Sequence, residues 1–259
     1  MYAAERMMKE PTLELSVVLP AYDEEANIAA VVESAEAHLE ERGISYEIHV
    51  VDDGSRDRTS DVVAALSARN PRVRVLRHPV NRGYGAAIRS GLAVSRGRHV
   101  LVSDGDGQFR IHNLDALWEV REQADLVLGY RNPRHDPWPR RIAGWVYSRV
   151  LVRWALGARF RDVNCGFKLI ARPVVEHLEL ESSGALISAE LLTRAARAGA
   201  TFIEVGVAHE PRQYGRATGL LPSVVVRMVR ELVALRASIL GRAGERLRPG
   251  CDAVESASA

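Results

Sequence analysis

His99-Val100-Leu101-Val102-Ser103-Asp104-Gly105-Asp106-Gly107-Gln108 decides the reading of this 259-residue chain. A short β-favouring run passes straight into Asp-x-Asp with two glycines. In an extended backbone the i, i+2 spacing points both carboxylates to one side, and the glycines let the chain bend around a small ligand. Two hard oxygens with open positions suit Mg²⁺ or Mn²⁺ bound jointly with a diphosphate. A tight Asp-Gly turn is the plain structural alternative. An EF-hand loop is excluded, because its sixth position would be Phe109 and its twelfth Asp115. A phosphatase using Asp-x-Asp as nucleophile and acid would carry it after the first strand, whereas here it follows the fourth.

Working outward, further strand-like runs fall at Leu15–Leu19, Glu47–Val51, Val73–Leu76 and Asp125–Leu128. Helical patterns lie between them at Ala26–Arg42, Thr59–Ala68, Gly85–Ser95 and around Asn113–Gln123. Such alternation predicts an α/β fold, with a mostly parallel sheet covered by helices on both faces. Ligands then bind at the carboxyl ends of the strands, in the turns after Leu19, Val51 and Val102. Beyond Pro133, Pro137 and Pro139 comes a basic helical stretch, then a strand-like piece over Asp162–Ile170, a helix near Ser188–Ala198 and a strand at Phe202–Val207. Residues 13–220 read as one domain and 221–242 as an amphipathic helix, with disordered ends at 1–12 and 243–259.

The first turn, Pro20-Ala21-Tyr22-Asp23-Glu24-Glu25, has no glycine, which argues against a dinucleotide-binding turn and hence against NAD or FAD. Its acids could simply favour a helix start. In the second turn, Ser55, Asp57 or Thr59 could cap the next helix. Paired Asp52-Asp53 repel each other and ask for a hydroxyl, a base N–H or a cation. Gly83-Tyr84-Gly85 lacks the third glycine of a phosphate loop and reads as a turn before a helix.

Two cysteines, Cys165 and Cys251, exclude a disulfide framework and fit a reducing compartment, Cys165 as a core residue. No apolar core stands behind a positive start, and no run of about 18 apolar residues occurs, so the expected location is cytoplasmic, with attachment to the membrane surface open. The net charge of +2 is unevenly spread: residues 131–161 carry +7 and 212–248 carry +6, leaving the rest at −11. Two basic stretches on an acidic body point to an anionic partner such as phosphates, lipid head groups or nucleic acid. Nucleic acid is disfavoured because it leaves Asp104 and Asp106 unexplained. The scattered histidines suggest no zinc site, and His209 could touch substrate or serve structure.

PAYDEEANI (20–28), VVDDGSRDRT (50–59), NRGYGAAIRSGL (81–92), DGDGQ (104–108) and GYR (129–131), in this order, resemble a family 2 glycosyltransferase with a GT-A fold. DVNCGFKLI (162–170), ISAELLTRA (187–195) and HEPRQYGRATG (209–219) are similar to its polyprenyl-phosphate (dolichol-phosphate) mannosyl- and glucosyltransferase branch, and the resemblance covers about residues 14–220. It implies an inverting enzyme that uses a nucleotide-diphosphate sugar, of UDP-glucose or GDP-mannose type, with Mg²⁺ or Mn²⁺. Carried over by motif, Pro20, Ala21, Tyr22, Glu24, Asp52, Asp53, Arg82, Gly83, Asp104, Gly105, Arg131 and Arg212 would bind the nucleotide sugar. Asp104, Asp106 and Gln108 would hold the metal, and Asp104, Asp106, Arg131 and Asp162 would be catalytic.

A phosphate acceptor, with a second pKa of about 6, is a dianion near neutral pH and needs no base. A hydroxyl acceptor requires a carboxylate base, for which Asp162 is the candidate. Gln213-Tyr214-Gly215-Arg216 is followed by Ala217 rather than the Trp of processive synthases, which argues for a single transfer. Trp138, Trp145, Trp154 and the basic Val224–Leu240 helix could lie on a bilayer, or pack on the domain or a second subunit of a homo-oligomer.

Overall fold

The computed structural model describes residues 13–132 and 160–211, together with Arg230 and Val233. Seven strands form one sheet: β1 (Leu15–Ala21), β2 (Tyr46–Asp52), β3 (Val73–Arg77), β4 (His99–Val102), β5 (Leu126–Arg131), β6 (Lys168–Ala171) and β7 (Phe202–Val207). Their spatial order is β3-β2-β1-β4-β6-β5-β7. Every pair is parallel except those of β6, which runs against both β4 and β5. Six helices accompany them among the described residues: α1 (Ile28–Glu41), α2 (Thr59–Arg69), α3 (Tyr84–Val94), α4 (Leu114–Glu119), α5 (Arg172–His177) and α6 (Ile187–Arg197).

Alternation along the central strands explains the layering. Leu15, Val17 and Leu19 of β1 join a core with Ile28, Val32, Ala35 and Leu39 of α1 and with Leu114 and Leu117 of α4. Val18, one residue out of phase, packs on the other face with Ala87, Ile88 and Leu92 of α3 and Leu191 and Leu192 of α6. With both faces covered, β1 and β2 are buried along their whole length, as a doubly covered sheet requires. The expected α/β architecture therefore holds.

Three local expectations are corrected. The strand-like piece over 162–170 is a strand only from Lys168; before it, Cys165 N–H bonds back to Asp162 O (3.2 Å), so Asp162–Phe167 is a turn and Cys165 lies in that turn, fully buried, rather than in a strand. The helix around 113–123 is a 3-10 turn at Ile111–Asn113 followed by the short α4. Helix α5 was not expected; its signal is Pro173 near the helix start, where a missing N–H costs nothing. The helix expected over 221–242 lies outside the described residues except for Arg230 and Val233, both helical and exposed. The ends 1–12 and 243–259 and the three tryptophans of the basic stretch also lie outside them.

At the amino edge of the sheet Glu47 is buried, accepting from Ser16 Oγ (2.7 Å), Arg96 N–H (2.7 Å) and the Arg96 guanidinium (3.0 Å), with His49 at 3.2 Å. Burial pushes its carboxyl up, but the bonds from His49, Ser16 and Arg96 outweigh this and hold it at about 2.

Candidate active site

The carboxyl ends of β1, β2 and β4 deliver their turns to one edge, as parallel neighbours must. The first and second turns are laced together. Asp23 N–H donates to Ser55 Oγ (3.0 Å), Arg56 N–H to Asp23 Oδ1 (2.8 Å), Glu25 N–H to Asp57 Oδ2 (3.0 Å) and Arg58 N–H to Glu25 Oε2 (2.9 Å). Glu24 N–H donates to Thr59 Oγ1 (2.9 Å), while the Glu24 carboxylate accepts from Asn27 (2.5 Å). The acids after β1 thus hold the turn after β2 rather than merely starting α1. Pro20 and Ala21 belong to the strand itself, and Tyr22 opens the turn, 36% exposed.

Asp52 and Asp53 are both buried, and protein donors meet the paired charge. Asp52 accepts from Ser55 N–H (2.8 Å) and Ser60 Oγ, with Arg77 at 3.6 Å. Asp53 accepts from His78 Nδ1 (2.6 Å), Arg82 N–H (2.9 Å) and Gly83 N–H (2.7 Å). Nor are the next amides at the start of α3 open: Gly85 and Ala86 N–H both point to Ser183 O, at 2.9 and 3.4 Å. This helix end is filled by protein groups, so Arg82 would meet a ligand through its side chain.

After β4 the chain is not extended. It turns at Gly105–Asp106, so the i, i+2 geometry expected of the two aspartates does not apply. Asp104 Oδ1 accepts from the Tyr84 hydroxyl (2.7 Å), and burial together with the charges of Asp104 and Asp106 raises the Tyr84 phenol well above its ordinary range. Asp104 also presses on Gly166: a Cβ there would come within 2.6 Å of Oδ1 and closer still to Oδ2. Asp106 accepts from Gln108 N–H (3.1 Å) and lines a cavity of about 400 Å³ against α1, walled by Val17, Leu19, Val31, Phe109 and Ile111. No other carboxylate predicted for the site lines that cavity. Gln108 Nε2 donates to Glu210 O (3.1 Å), which turns the other end of the amide, its oxygen, away from that bond.

On the far side of β4, Arg131 at the end of β5 grips Asp162 in a bidentate pair, at 2.7 and 2.9 Å. Lys168 lies fully enclosed between them and Asp104, its ammonium donating to Cys165 O and reaching Ser188 Oγ (3.4 Å). Burial lowers the Lys168 ammonium, against the opposing pull of Cys165, Asp162 and Asp104. Burial likewise pushes the Cys165 thiol up to about 12, which makes it core and not nucleophile. The fold therefore sets Asp104 and Asp106 around Tyr84, sets Asp104 and the Arg131–Asp162 pair around Lys168, and leaves Gln108 with Asp106 and Glu210, whereas Arg212 lies outside the described residues. The motifs assign no role to Tyr84, Gly166 or Lys168, although each lies inside one of them. His209 is buried with its ring 5.1 Å from that of Phe109.

A mostly parallel sheet whose carboxyl edge carries interlaced aspartates in place of a glycine-rich phosphate turn is the GT-A class of nucleotide-diphosphosugar transferase fold. Its solved neighbours include glucosyl-3-phosphoglycerate synthase from Mycobacterium tuberculosis, described in complex with Mn²⁺, uridine-diphosphate-glucose and phosphoglyceric acid. That structure is 23% identical, with a TM-score of 0.67 over 88% of this chain and 80% of that one. The chain belongs to glycosyl transferase family 2, whose profile matches residues 16–172. Among curated relatives, human dolichyl-phosphate beta-glucosyltransferase is 34% identical over 62% of this chain and 56% of its own length. The Pseudomonas aeruginosa (strain LESB58) undecaprenyl-phosphate 4-deoxy-4-formamido-L-arabinose transferase is 34% identical over 62% and 48%. The chain thus spans about half the length of these relatives. No described helix is long and apolar enough to cross a membrane.

Proposed function

We propose that this chain transfers one sugar from a nucleotide-diphosphate sugar, of UDP-glucose or GDP-mannose type, to a polyprenyl phosphate, with inversion at the anomeric carbon. The observation that carries the acceptor choice is the bidentate Arg131–Asp162 pair beside the Asp104 turn. A general base needs a lone pair aimed at the acceptor hydroxyl. Here both Asp162 oxygens are held by the Arg131 guanidinium and the carboxylate is buried, so it is committed to a charge pair rather than presented to an acceptor hydroxyl, which speaks against Asp162 as that base. A phosphate dianion attacks without one. Both curated relatives named above bear a polyprenyl-phosphate acceptor in their names, which supports the same reading.

Asp104, Asp106 and the Gln108 amide oxygen fit a divalent cation of the Mg²⁺ or Mn²⁺ kind by the chemistry of their hard oxygens, a set of two carboxylates that would need the donor's diphosphate to complete it, since no group of three acidic, histidine or cysteine ligands occurs among the described residues. When bound, such an ion neutralises charge on the departing diphosphate. Around it the residues of the chain have distinct work. Tyr84 and Gly166 fix the Asp104 carboxylate, and the laced turns hold Tyr22 and Glu24 at the rim where base and ribose would lie. Arg131 and the buried Lys168 are committed to Asp162 and to Cys165 O, so positive charge for the acceptor phosphate is assigned to Arg212 and the other arginines of the basic 131–161 stretch. Trp138, Trp145, Trp154 and the 224–240 helix would set the protein on the membrane surface.

The test is incubation with Mn²⁺, polyprenyl phosphate and either UDP-glucose or GDP-mannose, followed by mass spectrometry of the lipid fraction. A glycosyl-lipid from one donor, lost in Asp104→Ala and Asp106→Ala at unchanged circular dichroism, is expected. Metal-dependent nucleotide binding without glycosyl-lipid would overturn the acceptor assignment.

A further inference from the structure

The buried His78 makes two bonds that the reaction just described does not use. Its Nδ1 meets Asp53 Oδ1 at 2.6 Å, and its Nε2 meets Ser90 Oγ of α3 at 2.9 Å. Asp53 already accepts two backbone N–H groups, from Arg82 and Gly83, so it acts as a carboxylate acceptor. The proton of the shared bond therefore sits on Nδ1, and in the neutral ring Nε2 accepts from the Ser90 hydroxyl. Asp, His and Ser stand in the linear order of a hydrolase triad. That activity is not supported, because Ser90 lies in the interior of α3, where backbone amides are committed to the helix and none is spare to stabilise an oxyanion.

The relay has a different consequence. The 78–83 loop lies against the turn after β2 with no slack: Gly54 sits at φ +75°, and a Cβ there would come within 2.5 Å of Val80 C and 2.6 Å of Asn81 N. Asp53 is the hub that joins that turn to Arg82 and Gly83, and among the described residues His78 is the side chain that bonds this hub, tying it to the body of α3. We infer that His78 is a positioning residue for the nucleotide rim: through Asp53 it fixes where the Arg82 side chain is presented to the donor. This rests on the nucleotide-sugar reading above.

The full chain is tested as His78→Ala, His78→Asn, His78→Gln and Ser90→Ala. The asparagine amide replaces Nδ1 and keeps the bond to Asp53, whereas glutamine replaces Nε2 and keeps only the Ser90 side. Two readouts are taken: affinity for UDP and GDP with Mn²⁺ by calorimetry alongside donor KM and kcat, and hydrogen exchange of the Arg82 and Gly83 amides without ligand. His78→Ala should weaken nucleotide binding and raise KM about tenfold, the cost of one lost charge-assisted bond, with kcat within about twofold, and should speed exchange at both amides. His78→Asn should restore both readouts, His78→Gln should not, and Ser90→Ala should give a smaller shift in the same direction. If His78→Asn is as impaired as His78→Ala at matched melting temperature, or if exchange at both amides is unchanged in His78→Ala, the inference is overturned. Should the alanine variant not fold, Ser90→Ala and His78→Asn decide the matter alone: unaltered exchange in Ser90→Ala together with loss of binding in His78→Asn refutes it. Wild-type protein that binds neither nucleotide would overturn the donor reading instead, while the ligand-free exchange arm still judges His78.

Discussion

Gly166→Ala isolates the contact between the 162–167 turn and Asp104. Gly166 is not among the residues at positive φ, so alanine is acceptable to the backbone, and the obstacle is space alone. Its Cβ would stand 2.6 Å from Asp104 Oδ1 and nearer to Oδ2 and Cγ, where an ordinary contact needs more than about 3 Å. The carboxylate must therefore swing by about 1 Å, which takes it off the Tyr84 hydroxyl now at 2.7 Å. Misplacement on that scale costs roughly 100-fold in rate when the displaced group orients the reaction. Overpacking itself should cost about 1–3 kcal/mol, a fall in melting temperature of no more than about 10 °C. The assay is metal-dependent glycosyl-lipid formation, run beside thermal unfolding of Gly166→Ala, Asp104→Ala and the double variant. Because Asp104→Ala removes the atoms in collision, Gly166→Ala should no longer lower the melting temperature in that background. Additive losses in the double variant, or wild-type turnover in the single one, would refute the contact as the cause.

Glu47→Gln should cost about 3 kcal/mol at neutral pH, the difference between an ordinary glutamate at 4.5 and about 2 in the fold. A lowered folded pKa means that the stabilisation is full above 4.5 and fades as pH falls toward 2. Urea titrations of the variant should therefore lose much of the wild type's stability gradient across that window, and parallel gradients would count against the Glu47 cluster. Turnover should fall below about pH 6 as the acceptor phosphate takes up its second proton, and a phosphonate acceptor with a higher second pKa should move that limb upward. A limb that stays put with the phosphonate would point to a protein carboxylate instead. Cys165 should resist thiol reagents in the native protein, being buried with its thiol pushed to about 12, and react only in denaturant. Rapid native labelling mapped to Cys165 by peptide mass would contradict that.

Much of the first half of the chain was legible because its signals are local. The β-favouring run before Asp104 is the strand His99–Val102, and α2 and α3 begin within a residue of their expected starts; in the second half Phe202–Val207 is a strand with the expected bounds. What escaped depends on chain returning from afar. Nothing in DVNCGFKLI says that its first six residues turn before the strand, since Val163, Cys165 and Phe167 alternate as a strand would, yet the turn sends Val163 into one core and Cys165 and Phe167 into the other. The geometry of Asp104 and Asp106 failed for a related reason: glycines at 105 and 107 permit both an extended ligand loop and a tight turn, and neighbours from α3 and the 162–167 turn decide between them. The charge pairing of Arg131 with Asp162 spans 31 residues and could not be read from either motif alone.

Strand β6, reversed amid its parallel neighbours, also acts as a gauge. Its ladder to β4 sets Lys168 opposite Val102, two residues after Gly166 on one side and two before Asp104 on the other. That single rung fixes the separation of the two halves of the candidate site, one built by the first four strands and one by the turn that precedes β6. A slip of two residues along it would keep every apolar side chain on its proper face, so alternation alone does not guard the site and the register must come from how β6 packs between β4 and β5. The alignment of this edge thus rests on four residue pairs, His99–Ala171 to Val102–Lys168.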